Sequence, residues 1–337
     1  MQPSRRWFEP VLVVSLMVLV LVSLSVGTYP ISIGDLLRIF YSMLTGETQT
    51  HGVAHTIIQV LRLPRIALAV LCGACLGLCG GCLQGVMRNP LVGPDIVGVS
   101  AGATCGGVLA IFFDASPAVL IASAFAGGLC ALLIAFLIAR AAGNSMLALV
   151  LGGVVVGAFC SALVALMLTL AAPDGHLERI VYWTLGSFAG ATREKVVMLA
   201  IPTVLAGGVL LALRWRINVM SLGDTDAAAL GVNVGRLRWL TVGMVALLVG
   251  AQVSVSGGIG WVGLIVPHFV RMLIGPDHRR LLPACALVGS IFMLAVDNVA
   301  RLLVTGELPI GLLTAFIGAP VFCLVLWRTH SRGWGQA

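Results

Sequence analysis

The chain has 337 residues, of which 59% are hydrophobic and 10% charged, with 41 glycines and a formal net charge of +7. A soluble domain carries about 25% charged residues, so this composition excludes a water-soluble globular protein and points to an all-α integral membrane protein in one domain, residues 1–337. Ten-residue segments of alternating hydrophobicity, the mark of an outer-membrane barrel, do not occur.

The first transmembrane segment covers about residues 10–28, behind a basic start that includes Arg5 and Arg6. No small-residue cleavage site follows, so it reads as a retained helix, not a removed signal. Residues 29–61 read as a polar loop with an amphipathic, interfacial piece from Ile33 to Leu44. The second span, about 62–84, opens on Arg62-Leu-Pro-Arg65. Pro90 and Pro94 then break the helix, because proline lacks a donor and restricts the residue before it.

Spans at about 95–113, 117–140 and 146–171 follow. Asp174 to Gly190 reads as a loop whose Tyr182 and Trp183 suit the headgroup region. The sixth span, about 196–213, leads into a polar segment, 219–238. Spans at about 239–256 and 258–271 are separated by the glycine break Ser256-Gly-Gly-Ile-Gly260. The last two are at about 281–300 and 309–327.

Ten crossings put both termini on one side, and 13 of the 20 basic side chains fall on that side. The positive-inside bias therefore places the termini in the cytoplasm. Dispersed arginine with a single lysine, Lys195, is a topology signal and not a nucleic-acid surface.

Segment 219–238 is soluble-looking between two apolar spans. Asp224 reads as the N-cap of a short helix, with its charge favourable at the positive helix end. Gly231 reads as a left-handed C-cap. The small face Ala227-Ala228-Ala229 allows close approach, so the segment reads as a docking surface for a partner protein.

Other candidate groups read as structural. Cys72, Cys75, Cys79 and Cys82 share one helical stripe, but at 1.5 Å per residue they extend over about 15 Å and cannot all reach one ion. They read as a packing face. His268 and Asp297 are intramembrane ionisable groups near helix ends. No phosphate-binding loop and no catalytic constellation is present, so the chain is not an enzyme by itself. Arg62, Arg65 and Arg301 lie on the outer side against the charge bias, where they suit an acidic partner or an anionic substrate.

Six motifs occur in order: Arg62-Leu-Pro-Arg65; Asn89-Pro-Leu-x-x-Pro-x-x-x-Gly98-Val-x-x-Gly102-Ala; Leu222-Gly-x-x-x-Ala227-x-x-Leu230-Gly-Val; Gly260-x-x-Gly263-Leu-x-x-Pro267-His; His278-Arg-x-Leu-Leu-Pro283; and Glu307-Leu-Pro-Ile-Gly311. Over about residues 10–328 the chain resembles the FecCD-type permeases of type II ATP-binding-cassette importers for iron siderophores, haem and vitamin B12.

The resemblance implies a BtuC-like permease fold of ten transmembrane helices in a bacterial inner membrane. It implies a second permease subunit, identical or paralogous, with the pathway between the two. Further partners would be a cytoplasmic ATPase dimer, where ATP and magnesium bind, and a periplasmic substrate-binding protein. This chain itself would hold no cofactor or metal, and it would contact lipid but no nucleic acid.

By the same resemblance, Leu222, Gly223, Asp224, Ala227, Ala228, Leu230 and Gly231 form the ATPase-coupling helix. Arg62, Arg65 and Arg301 meet acidic side chains of the binding protein. Asn89 and Leu91, with Met146 and Leu147, form the cytoplasmic gate.

The chain departs from the pattern at Asp95, where many relatives have glycine, and at Ala148, where arginine is frequent. Gly258 and Trp261 replace a frequent proline and phenylalanine. The Pro94-Asp95 pairing favours ferric siderophore or ferric citrate as cargo, with haem or vitamin B12 as the alternative. An ion-coupled secondary transporter is the alternative from another class, and the sparse intramembrane charge opposes it.

Overall fold

A chain in lipid must satisfy its peptide groups internally, and a helix does so within one segment. The computed structural model describes residues 7–27, 29–45, 52–143, 145–171, 175–303 and 307–333, and among these the regular structure is helical. Helix α1 is Phe8–Ser25, α2 Ile33–Thr45, α3 Val53–Thr56 and α4 Leu63–Met87. After a 3₁₀ turn at Pro94–Val97 come α5 Val99–Phe112, α6 Pro117–Ala141, α7 Met146–Leu170 and α8 His176–Leu185. Then follow α9 Arg193–Ala212, α10 Arg214–Met220, α11 Asp224–Ala229 and α12 Val234–Ser256. The last three are α13 Val262–Ile274, α14 His278–Leu303 and α15 Ile310–Gly333.

By length and composition, seven helices among the described residues can cross a membrane: α1, the run Val53–Met87, α6, α7, α9, α12 and α14. Val99–Phe112, Val262–Ile274 and Ile310–Leu324 are shorter apolar helices. At 1.5 Å per residue the 14 residues of α5 reach about 21 Å, less than a ~30 Å hydrocarbon core. The irregular turns at Pro94–Val97 and Gly257–Trp261 precede α5 and α13, respectively.

Three expectations are corrected. Residues 53–61 are not loop: α3 runs through a π-helical turn, Ile57–Arg62, into α4. Pro64 accounts for the wide turn, since it cannot donate to the carbonyl four residues earlier and its ring crowds that group. Within the expected loop 174–190, residues 176–185 form α8. Trp183 there turns into the protein, its indole N–H donating to the Thr104 carbonyl at 3.3 Å, instead of facing headgroups. Asp224 is the first residue of α11 and not its N-cap; that place falls to Gly223, at φ +133°.

Helix α4 is the axis of the packing, buried along most of its length. A Cβ added to Gly73 would lie 2.2 Å from the Gly289 carbonyl oxygen of α14, and one on Gly80 would lie 1.8 Å from that of Gly263 on α13. Only glycine permits helix axes to approach so closely. The cysteine stripe faces α12: Cys75 Sγ lies 3.4 Å from the Leu248 carbonyl and Cys72 Sγ 3.8 Å from Ser256 Oγ. The thiols are thus a seam between α4 and α12, and all four are buried.

Candidate functional site

At one end of the bundle, α9 turns through α10 into the short helix α11. The α11 C-terminus is a Schellman motif: Val232 N–H donates to Ala227 C=O and Gly231 N–H to Ala228 C=O, both at 3.0 Å. Gly231, at φ +79°, supplies the left-handed residue this closure requires. Ala227 is fully buried beneath the helix, while Leu222 and Leu230 are 63% and 58% exposed. Ala228 and Ala229 are exposed between them. The small segment thus presents an apolar face outward.

Asp224 ties this segment to two long helices. Its Oδ1 accepts from Arg88 Nη2 at 2.9 Å, and both carboxylate oxygens accept from Arg238 Nη2 at 3.0 Å. Arg88 ends α4 in a left-handed conformation, φ +51°, and is followed directly by Asn89. Asn89 Oδ1 then accepts from the Leu91 N–H at 2.9 Å, a tight Asx turn. One carboxylate therefore joins α11, α12 and the turn carrying Asn89 and Leu91. Sequence reasoning singled out neither Arg88 nor Arg238 for this role, since neither spacing nor charge identifies a pair 136 residues apart.

Met146 and Leu147 begin α7, which Ser145 caps by accepting from the Ala148 N–H at 3.1 Å. Met146 packs on the core that includes Met220, Val232 and Leu237, so it belongs to the same end as α11. Leu147 and Leu91 are 69% and 45% exposed. The contact that joins the two regions is made by the 3₁₀ turn: a Cβ on Gly153 of α7 would lie 2.4 Å from the Ile96 carbonyl oxygen.

The opposite end carries Arg62, Arg65 and Arg301, and the structure brings Arg65 and Arg301 onto one carboxylate. Arg62 and Arg65 are 5% and 8% exposed. Arg62 donates to the carbonyls of Leu24 and Tyr29. Arg65 Nε lies 2.8 Å from Asp297 Oδ1, and its Nη1 lies 2.7 Å from Glu307 Oε1. Arg301 Nε lies 3.2 Å from the other oxygen of Asp297, and its Nη2 donates to Ser23 Oγ at 2.6 Å and to Asn298.

Asp297 is fully buried and two guanidiniums face it, the pairing that a buried carboxyl requires. Glu307, at φ +52°, also accepts at its backbone carbonyl from the Tyr182 hydroxyl at 2.8 Å. The network thereby clamps α1, α4, α8, α14 and the start of α15 together. These arginines are not the free surface charges their outer position leads one to expect; each already has partners inside the chain.

Near this end, outside the spans, Asp114 in the turn after α5 faces α8. Arg179 Nη2 lies 2.6 Å and His176 Nε2 2.7 Å from its carboxylate, and these bonds hold its carboxyl below the usual range. Among the described residues no group of three or more His, Cys, Asp or Glu is placed to hold a metal ion.

Comparison with known proteins returns one family over most of the chain: the profile of the FecCD transport family matches residues 15–328. The molybdate import system permease protein MolB of Haemophilus influenzae is 41% identical over 322 residues, 95% of either chain. The hemin transport system permease protein HmuU of Yersinia pestis is 36% identical over 334 residues, covering 96% of this chain and 98% of its own. A solved structure described as an inward-facing, metal-chelate type ABC transporter superposes with a TM-score of 0.86 at 42% identity, over 95% of this chain and 98% of that one.

Proposed function

This chain belongs to the FecCD transport family and is an importer permease, and on that premise we propose that it carries an iron chelate, a ferric siderophore or ferric citrate, from periplasm to cytoplasm. Relatives of this sort are transport subunits and not enzymes, and the energy enters through separate ATPase subunits. The reading places α11 and both termini in the cytoplasm of a bacterial inner membrane. The arginine–acid network then lies at the periplasmic face, and a second permease subunit stands opposite.

The observation that carries the mechanism is the double ion pair of Asp224. An ATPase gripping the exposed face of Leu222, Ala228 and Leu230 moves Asp224, and with it Arg88 and Arg238. Because Arg88 adjoins Asn89, the same displacement reaches the Asn89–Leu91 turn and, through the 3₁₀ turn, α7 and the Met146–Leu147 end. Nucleotide binding is thus converted into movement of the gate by a chain of packed, paired groups.

At the other face, acidic side chains of a binding protein engage the rim around Arg62, Arg65 and Arg301. The charges of Arg65 and Arg301 are partly committed to Asp297, and that of Arg65 also to Glu307, so that contact works by competition or by extension of the network. The iron-chelate reading is supported by the Pro94-Asp95 pairing and by a metal-chelate type transporter among the similar proteins. A second reading is favoured by the molybdate permease, which is 41% identical.

Proteoliposomes containing the permease, its ATPases and the cognate binding protein test both parts. ATP-dependent accumulation of a labelled ferric chelate, lost when the ATPases are omitted, is the expected result. Uptake without the ATPases overturns the importer mechanism. Accumulation of labelled molybdate, haem or corrinoid with no ferric siderophore or ferric citrate uptake overturns only the cargo.

A further inference from the structure

Helices α6 and α9 both rest on α12 and stand apart from one another on its surface. The gap is an apolar groove of about 450 Å³, walled by Ile121 and Phe125 of α6 and by Ile201 and Leu205 of α9, with Ala251 of α12 in its floor. From Ala118 to Phe125 the α6 wall rises about 10 Å at 1.5 Å per residue. That is most of the ~15 Å depth of one leaflet's hydrocarbon.

Beside the groove, at the end of the bundle where α8 lies, is a second cavity of about 580 Å³, and Ile121 lines both. Here the walls change character. Tyr182 and Trp183 form one side, and Arg179 and Lys195 enter the lining. Lys195, the chain's single lysine, is half-buried, and among the described residues its ammonium has no hydrogen-bond or ion-pair partner.

Its Nζ lies over Gly190, where an added Cβ would stand 3.3 Å away, so a side chain there would crowd it. Arg179 is shared with Asp114 at 2.6 Å, leaving Lys195 as the uncommitted cation. A partly desolvated ammonium without a counter-ion is costly unless an anion completes it.

An apolar groove about 10 Å long beside a cationic, aromatic-walled cavity, with Ile121 lining both, has the shape and charge of an anionic phospholipid. We propose that this is a specific site for such a lipid. One acyl chain lies between α6 and α9 along Ile121 and Leu205, and the headgroup phosphate sits on Lys195. The wall helices carry exposed Ile201, Val204 and Leu205, as expected of a surface open to the bilayer from the side. Nothing in the transport reading uses this site, and the proposal stands without it.

The test uses the full-length protein in detergent and native mass spectrometry with phosphatidylglycerol and phosphatidylcholine of identical acyl chains, with glycerol 3-phosphate as a free-anion competitor. Retention of phosphatidylglycerol over phosphatidylcholine by about fivefold is expected, the value of one basic contact to an anionic headgroup. Lys195→Gln should abolish that preference and Lys195→Arg should keep it. Leu205→Trp, at a position 65% exposed, should fill the groove and lower retention of both lipids while the melting temperature is unchanged. Equal retention of the two lipids by the parent protein, an undiminished preference in Lys195→Gln, or displacement by equimolar glycerol 3-phosphate would each overturn the proposal.

Discussion

Arg88, the residue before Asn89, donates to Asp224 at 2.9 Å across 136 residues of sequence. It links the end of the largely buried α4 to the short, largely exposed α11. The pair is solvent-accessible, with side chains 45% and 46% exposed, so its contribution to stability is small, about 0.2–1 kcal/mol. On the proposed mechanism its value lies in direction, since a displacement of Asp224 would carry Arg88 with it.

Asp224→Asn should therefore separate coupling from folding. Its thermal midpoint in detergent should stay near that of the parent. ATP-driven uptake should fall about fivefold or more, the low end of typical coupling energies, while ATP hydrolysis by the assembled complex continues. Uptake and hydrolysis falling in parallel would show that Asp224 serves assembly instead.

The outward face of α11 predicts a contrast between two neighbours. Ala228→Trp places bulk on an exposed surface and should release the ATPase in a pull-down without loss of permease stability. Gly231→Ala forces a Cβ into φ +79° and should cost about 1 kcal/mol of local stability with the ATPase contact weakened but retained. Intact ATPase binding by Ala228→Trp refutes the docking assignment.

For the arginine–acid network, loss of one partner should be worse than loss of both. Arg65→Ala leaves Asp297 buried against a single guanidinium and should destabilise the protein by about 3–5 kcal/mol. Arg65→Leu with Asp297→Leu should recover part of that loss in a thermal melt. The double change Arg62→Glu, Arg65→Glu should likewise impair folding as well as any docking. Its binding-protein affinity is informative only beside a melting curve.

Close helix approach predicts a steric result at Gly80. A methyl group there meets the Gly263 carbonyl oxygen at 1.8 Å, which must be relieved by moving α13. Gly80→Ala should lower stability by about 1–3 kcal/mol or more, as overpacking does. Gly208→Ala, where nothing lies within 4 Å, should be silent in the same assay.

The Asp114 clamp predicts a pH dependence. Arg179 and His176 hold this carboxyl below its ordinary value, so the folded state binds its proton less readily than the unfolded chain. Its stabilising effect is present above the ordinary carboxylate pKa of about 3.9 and disappears as pH falls through the lower native value. Asp114→Asn should flatten the acid limb of the melting-temperature profile below about pH 4. An unchanged limb would mean that α8 is held without this pair.

Much of the organisation was legible in the sequence because lipid imposes a coarse rule. Runs of apolar residues must become helices, and the breaks at Pro90, Pro94 and Gly257 fall where those helices stop. The end of α11 was also readable, since Gly231 closes a short helix in the left-handed conformation. The π turn before Pro64 and the helix at residues 176–185 were not legible. The π turn continues a short helix out of a polar stretch and is closed by Pro64 and its packing on α1 and α4, while residues 176–185 are polar enough to resemble a loop and take shape against α5.

Composition and motif order by themselves determined the class and the family, and singled out the segment proposed to meet the ATPase. These follow from properties that add up along the chain, such as hydropathy, charge and local turn chemistry. Tertiary structure alone decided the partners of the charges. Arg65 reaches Asp297 across 232 residues and Arg88 reaches Asp224 across 136, because helix packing brings together positions with no local relation; Arg301, four residues after Asp297 on α14, is the local partner that completes the first cluster. The arginines at the Asp297 end are therefore tie points, and α11 is joined to the Asn89–Leu91 turn through one carboxylate. Where burial strips water from a charge, as at Asp297, its counter-charge must come from inside the fold, and the fold decides which one.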